Sequence, residues 1–282
     1  MSAVLASIPS PDSSTIELGP ISIHFYGLTL LVAIAAAVVI AGIRWTRRGG
    51  DWDLIFRVAV WGVAFGIVGA RLYHVVTSWG ELPDEWWGPF AIWKGGLGVW
   101  GGIGLGAIVG AIVAHRSGAS VARLADCAAP GLLVAQGIGR FGNWWNQELF
   151  GKPTDLPWGL EISNPPLEYA DRATFHPTFL YEALWCFGAA LLLLLIERLF
   201  RLRPGGLFAL YVLVYSIGRL WIETLRIDPS HEIAGVRLNV WVAGVAIVAS
   251  AAFFAWWQRT WKRDHGPPPR KVEAMAVPKA RP

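Results

Sequence analysis

Apolar residues fall into seven long runs separated by short polar stretches, at 21–43, 54–79, 97–114, 121–138, 178–196, 206–224 and 238–257. A hydrocarbon core of about 30 Å is crossed by about 20 helical residues at 1.5 Å each. The pattern therefore predicts an all-α integral membrane protein with seven transmembrane helices. The second run carries Arg57, Arg71 and His74, and the fourth is the least regular, interrupted by Asp126 and Pro130. Glycines recur at four-residue spacing, as Gly62 and Gly66 in the second run and Gly98, Gly102, Gly106 and Gly110 in the third. Such spacing lets helix backbones approach closely. Gly96, Gly98 and Gly101 also spell GxGxxG, but they open a membrane run with no strand before it, so packing is the better reading than a dinucleotide site. The sequence shows no internal repeat, which counts against an inverted-repeat transporter.

Composition agrees with lipid as the main solvent. Charged residues make up 16% of the 282, against roughly 25% in soluble domains. Two cysteines, Cys127 and Cys186, cannot build a zinc site, which needs about four ligands, and no metal or soluble cofactor is expected. A net charge of +4 could suggest nucleic acid, but in a membrane chain the placement of Lys and Arg matters more. Arg44, Arg47 and Arg48 follow the first run, Arg116 the third, Arg198, Arg201 and Arg203 the fifth, and Arg259, Lys262 and Arg263 the seventh. Loops rich in these residues stay cytoplasmic, so the N-terminus is expected outside and the C-terminus inside. The expected organisation is an extracytoplasmic segment over 1–20, a helical domain over 21–258 with a small extracytoplasmic cap at about 152–175, and a basic, Pro-rich, disordered tail over 259–282. The start of the chain is neutral where a signal peptide would be basic, so the first helix is expected to be retained.

An ionisable group in mid-membrane costs about 2.5–3.5 kcal/mol, so such residues mark interior cavities and function. In the expected orientation nearly all of them gather near the outer surface. His24 and Tyr26 begin the first helix, Arg71 and His74 near the end of the second, Arg140 and Asn143 follow the fourth, His176 and Glu182 open the fifth, and Arg219, Glu223 and Arg226 finish the sixth. The last three, spaced i, i+4 and i+7, share one helix face. Two guanidiniums there with Arg140 would suit a phosphate, because the planar fork donates paired hydrogen bonds. Pairing of Arg219 and Glu223 solely with each other is the structural alternative. Deeper toward the other side, Asp126 is expected to form an internal ion pair with Arg123 and Arg57.

The run Gly139-Arg140-Phe141-Gly142-Asn143-Trp144-Trp145-Asn146-Gln147-Glu148-Leu149-Phe150-Gly151 is unusually polar for a membrane protein and is expected as unwound backbone just beyond the fourth helix. It closely resembles the signature of bacterial prolipoprotein diacylglyceryl transferases, G-R-x-G-N-F-x-N-x-E-x-x-G, departing only at Trp144. His24 to Leu28, Gly69 to Arg71, Lys94 to Leu97, His176-Pro177 with Tyr181-Glu182, and Arg219 to Arg226 follow that family's order as well. The resemblance covers about 21–257 and implies a seven-helix fold. The implied activity is transfer of the diacylglyceryl group of phosphatidylglycerol to the lipobox cysteine of a prolipoprotein signal peptide, releasing glycerol 1-phosphate, at the outer face of the bacterial plasma membrane. Matched position by position, Tyr26, Arg140, Glu148, Arg219 and Glu223 are the implied catalytic set. Arg71, Asn143, Asn146, Gly151 and His176 join Arg140 and Arg219 as implied substrate-binding residues.

One departure bears on mechanism. Many members carry histidine in a G-G-L-x-x-H-G-G pattern, where this chain has Trp100, which cannot accept a proton. The thiol-deprotonating group is then open, with Glu148 or Glu223 expected either to orient the arginines or to take the proton. The rival reading is a transporter or lipid flippase with an outward-facing polar cavity. A through-route, however, needs polar groups at every depth, and the middles of the first, third and seventh runs have none.

Overall fold

The computed structural model describes residues 7–19, 21–83 and 85–260. Seven helices are long and apolar enough to cross a membrane: α1 (Phe25–Thr46), α2 (Trp52–Thr77), α3 (Val99–Arg116), α4 (Val121–Trp145), α5 (Thr178–Leu199), α6 (Gly206–Leu225) and α7 (Leu238–Arg259). Six of the seven match the runs to within a few residues. The fourth does not stop at residue 138 but continues seven residues further, so the first half of the polar signature is helical and only the part from Asn146 onward is unwound. Gly139 and Gly142 do not break the helix. Gly142 instead leaves room for a neighbour, since a Cβ there would lie 2.7 Å from the Tyr26 ring and 2.8 Å from the Thr29 hydroxyl.

The helices form two closely packed pairs, α1 with α4 and α2 with α3, and α5, α6 and α7 extend the first pair. Glycine faces carry the α2–α3 contact: Gly69 meets the Gly101 carbonyl, and a Cβ on Gly106 would lie 2.8 Å from the Gly62 carbonyl. Many large apolar side chains remain uncovered by protein, among them Leu31, Val76, Val245 and Val248, as expected where hydrocarbon is the neighbour.

At the end of the bundle where α1, α3, α5 and α7 finish, buried polar groups hold four helices together. Pro130 has no N–H, so the carbonyl of Asp126, one turn earlier in α4, loses its helical donor. Arg44 from α1 fills the gap, donating to the carbonyls of Asp126 and Cys127 at 3.0 Å each. Its guanidinium also forks onto Glu197 of α5 at 2.8 and 3.0 Å. The Asp126 carboxylate does not form the expected ion pair: it accepts from the backbone N–H groups of Gly205 (2.7 Å) and Phe208 (2.9 Å), and Arg57 pairs with Asp53. Asp126 thereby caps α6, whose first N–H groups have no partner of their own.

At the opposite end the connections build a small cap. Strands β1 (Thr15–Leu18) and β2 (Ile21–His24) form a hairpin ahead of α1. Strands β3 (Leu160–Glu161) and β4 (Thr174–Phe175) pair in the 146–177 connection, around Leu160, Ile162, Phe175 and Phe179. Ile8 bridges to Leu160, so the chain around residue 8 lies on this cap. A third hairpin, β5 (Glu232–Ile233) with β6 (Val236–Arg237), leads into α7. Of the tail expected from residue 259, residues 261–282 lie outside those described.

Loss of the α6 cap is expected to lower stability by about 1–2 kcal/mol. Thermal unfolding in detergent should show a reduced Tm for Asp126→Ala and a smaller reduction for Asp126→Asn, which keeps one of the two acceptor oxygens. An unchanged Tm in Asp126→Ala would remove the cap from the account.

Candidate active site

The cap end of the bundle collects the charged residues of α4, α5 and α6. Glu182, one turn into α5, is 3% exposed, and its two oxygens face two different helices. Oε1 meets Arg140 of α4 at 3.0 Å, and Oε2 meets Arg219 of α6 at 3.4 Å. The Tyr215 hydroxyl donates to Oε1 at 3.2 Å. One carboxylate thus holds two guanidiniums side by side. Both remain partly accessible, with 22% of the Arg140 side chain and 17% of the Arg219 side chain exposed.

Each arginine has a second partner. Arg140 donates to Asn143 Oδ1 at 3.3 Å, and Asn143 in turn donates to Glu148 at 2.6 Å. The first link is set by helical spacing, i to i+3, on the last turns of α4. The second needs the chain to turn back after Asn146, which Gln147 and Leu149 achieve at φ 51° and 59°. Arg219 lies 2.7 Å from Glu223 at i+4. Each guanidinium thus meets two partners while carrying five N–H donors. Arg140 and Arg219 therefore keep donors for an incoming anion. A water-sized cleft lies between Arg140 and the signature loop, lined also by Asn143, Leu149, Thr178, Phe179, Glu182, Ile222 and Arg226.

Several other implied residues frame this centre. Tyr26, 41% exposed, packs its ring on Gly142, two residues after Arg140 in α4. Gly151 bridges to Arg226 across the end of α6, and its N–H donates to the His176 carbonyl at 2.9 Å. A Cβ on Gly151 would meet His176 Cβ at 2.8 Å and the Leu225 carbonyl at 3.0 Å, so only glycine fits there without movement. The His176 ring lies against the Tyr181 ring. The Tyr181 hydroxyl accepts from Trp158 at 3.0 Å and shares a hydrogen bond with His176 Nδ1 at 3.1 Å. Burial pushes the His176 pKa below its ordinary value, and the nearby Lys152 charge adds to the effect.

Two implied residues stand elsewhere. Arg71 is buried at the end of α2, where it donates to the carbonyls of Gly88, Pro89, Gly95 and Gly96. Its guanidinium pins the α2–α3 connection and is largely used up in doing so. Asn146 is exposed and caps α4 through its backbone N–H on Gly142. Glu182 holds the centre of this network, and Tyr215, Asp228, Arg237 and Asn239 also join it, although the sequence pattern does not mark them for it. Tyr215 could have been found from its place one turn before Arg219. Arg237 and Asn239 could not, because a hairpin brings them to Glu223.

The family model for prolipoprotein diacylglyceryl transferase matches residues 13–256. The chain belongs to this family. A phosphatidylglycerol–prolipoprotein diacylglyceryl transferase from Streptomyces griseus is 49% identical over 252 residues, covering 88% of this chain and 77% of that protein. Proteins of the same name from Frankia alni and Cutibacterium acnes are each 48% identical, covering 88% and 83% of this chain and 66% and 80% of their own lengths. With seven apolar helices, this member of the transferase family is a multi-pass membrane protein.

A histidine whose pKa is lowered by folding takes up its proton more readily in the unfolded chain, so its effect on stability is absent at high pH. Stability is lost as pH falls through the ordinary histidine range toward the depressed folded value. Wild type is therefore expected to lose more Tm between pH 7.5 and about pH 5.5 than His176→Gln, as read by unfolding in detergent across that window. Parallel pH dependence in the two proteins would remove His176 from the account.

Proposed function

We propose that this chain transfers the diacylglyceryl group of phosphatidylglycerol to the thiol of a prolipoprotein lipobox cysteine, releasing glycerol 1-phosphate. The observation that carries the reading is the pair Arg140 and Arg219, held side by side by one buried carboxylate with donors to spare. The substrate sulfur attacks the glyceryl carbon that bears the phosphate. A C–S bond forms, the C–O bond breaks, and its electron pair leaves on the phosphate oxygen. A singly charged diester thereby becomes a monoester with further charge, and the charge grows where the two guanidiniums point. Fixed donors of this kind contribute about 3–4 kcal/mol each to a transition state.

The thiol proton needs an acceptor. Glu182 and Glu223 are each shared between guanidiniums, so both are committed to holding the arginines. Glu148 is exposed, and among the described residues its partner is the neutral Asn143 amide. Glu148 is accordingly assigned the proton, and Asn143 aims it. Tyr26 and Gly151 bound the space for the glyceryl and phosphate oxygens, and His176 shapes the rim through its backbone.

We place the site toward the extracytoplasmic face of a bacterial plasma membrane. Arg44, Arg47, Arg48, Arg116, Arg198, Arg201 and Arg203 fall at the other end of the bundle, and loops rich in arginine stay cytoplasmic. The lipobox segment then enters laterally, and the acyl chains lie between helices. The names carried by the relatives favour this transfer over the transporter reading.

Labelled phosphatidylglycerol in proteoliposomes with a lipobox peptide should yield thioether-linked diacylglyceryl peptide. Arg140→Ala and Arg219→Lys should each cut the rate by about 100-fold or more while the protein remains folded. Undiminished transfer in both would remove the phosphate grip, and label appearing in the lumen with no covalent product would favour transport.

A further inference from the structure

Glu223 carries more partners than its pairing with Arg219 requires. It is 1% exposed, and its Oε2 faces Arg219 at 2.7 Å and Arg226 at 3.7 Å. Its Oε1 accepts from Arg237 Nε at 2.7 Å and from Asn239 Nδ2 at 3.2 Å. The last two residues come from beyond the helix, where the β5–β6 hairpin turns at Ala234 (φ 54°) and Gly235 (φ 73°) to deliver them to the start of α7. Arg237 is itself fully engaged: it also donates to the Asp228 carbonyl at 2.8 Å and to Asp228 Oδ2 at 3.1 Å. Asp228 meanwhile grips Arg226 with both oxygens, at 2.6 and 2.7 Å. Arg237 therefore has little left to offer a substrate, unlike Arg140 and Arg219.

We propose that Arg237 and Asn239 are positioning residues for the transfer reaction, holding Glu223 so that only one of its oxygens reaches Arg219. The argument rests on the phosphate-grip reading above. A carboxylate free to rotate beside a guanidinium settles into the two-pronged arrangement, with two parallel N–H···O bonds. Were Oε1 released, Glu223 would swing onto Arg219 in that way and occupy a donor that the phosphodiester needs. By tying down Oε1, Arg237 and Asn239 let Glu223 meet Arg219 through one oxygen alone and keep the rest of that guanidinium open. Arg237 also holds the 226–228 turn, so the same side chain fixes the neighbouring Arg226.

The test is steady-state transfer with wild type, Arg237→Ala, Arg237→Lys and the double variant Arg237→Ala/Glu223→Gln, each checked for folding by unfolding in detergent. Arg237→Ala is expected to raise KM for phosphatidylglycerol by about 10-fold or more, with a smaller fall in kcat and no change in KM for the lipobox peptide. Arg237→Lys restores part of that KM, because an ammonium still holds Oε1. Glu223→Gln in the Arg237→Ala background recovers it further, since a neutral amide does not clamp Arg219. A phosphatidylglycerol KM in Arg237→Ala within about 3-fold of wild type would overturn the proposal. So would an equal rise in KM for both substrates, or no recovery in the double variant. Absence of any transfer by wild type would sink the underlying reading instead, so the two failures are distinguishable.

Discussion

The Glu182 carboxylate, buried between α4, α5 and α6, fixes the distance between the two guanidiniums on which the proposed chemistry depends. Burying an ion is costly, and a lone arginine near a bilayer more so, but the cost is offset when each charge meets an opposite charge and its remaining lone pairs are satisfied. Glu182 meets both conditions through Arg140, Arg219 and Tyr215. Removing one member of such a network leaves the others buried and unpaired, at about 3–5 kcal/mol. The carboxylate also resembles, in charge and in the spacing of its oxygens, the anion that the arginines are proposed to bind. The guanidiniums are thus preorganised around an internal acid while keeping other donors for an external one.

The two ends of the bundle use polar burial differently. At the Arg44 end the buried groups mainly answer backbone needs: Arg44 replaces the N–H that Pro130 lacks while pairing with Glu197, and Asp126 caps α6. At the cap end the side chains bond chiefly to one another, and Arg140 and Arg219 keep unused donors. A surplus of donors beside a cleft separates a site from a staple, and charge content alone does not.

Helix positions were legible because the length of an apolar run is set by the bilayer and needs no tertiary information. The gathering of Arg140, Asn143, Arg219 and Glu223 at one end was legible for the same reason, since depth follows from position within a run. What failed was inference from residue type. Gly139 and Gly142 suggested unwound backbone, but in a tightly packed bundle glycine also marks the place where a neighbouring ring, here Tyr26, lies against the helix. Asp126 suggested an ion pair because arginines stood nearby in sequence, whereas the stronger demand came from the N-terminus of a helix about 80 residues later. Arg71 followed the family pattern and sits at the right depth, yet four carbonyls of the α2–α3 connection take up its donors. Arg237 and Asn239 reach Glu223 only because a tight hairpin reverses the chain.

The tryptophan at position 100 has a consequence for how the reaction divides its labour. It stands in the first turn of α3, 48% exposed, on a helix whose contacts are chiefly with α2, and its indole can donate but not accept. With Trp100 unable to accept a proton, the proposed mechanism gives the task to the signature segment, where Arg140, Asn143 and Glu148 form a short line of hydrogen bonds. Such a line couples the two halves of the proposed reaction. Charge growing on the phosphate draws on Arg140, and the proton leaving the thiol passes to Glu148, two bonds away through one amide. Because Asn143 is neutral and can donate to one neighbour while accepting from the other, it holds both groups in register without adding charge between them. An aspartate in its place would repel Glu148 and compete for Arg140, whereas a leucine would leave both unaimed, so the amide is the side chain this arrangement requires.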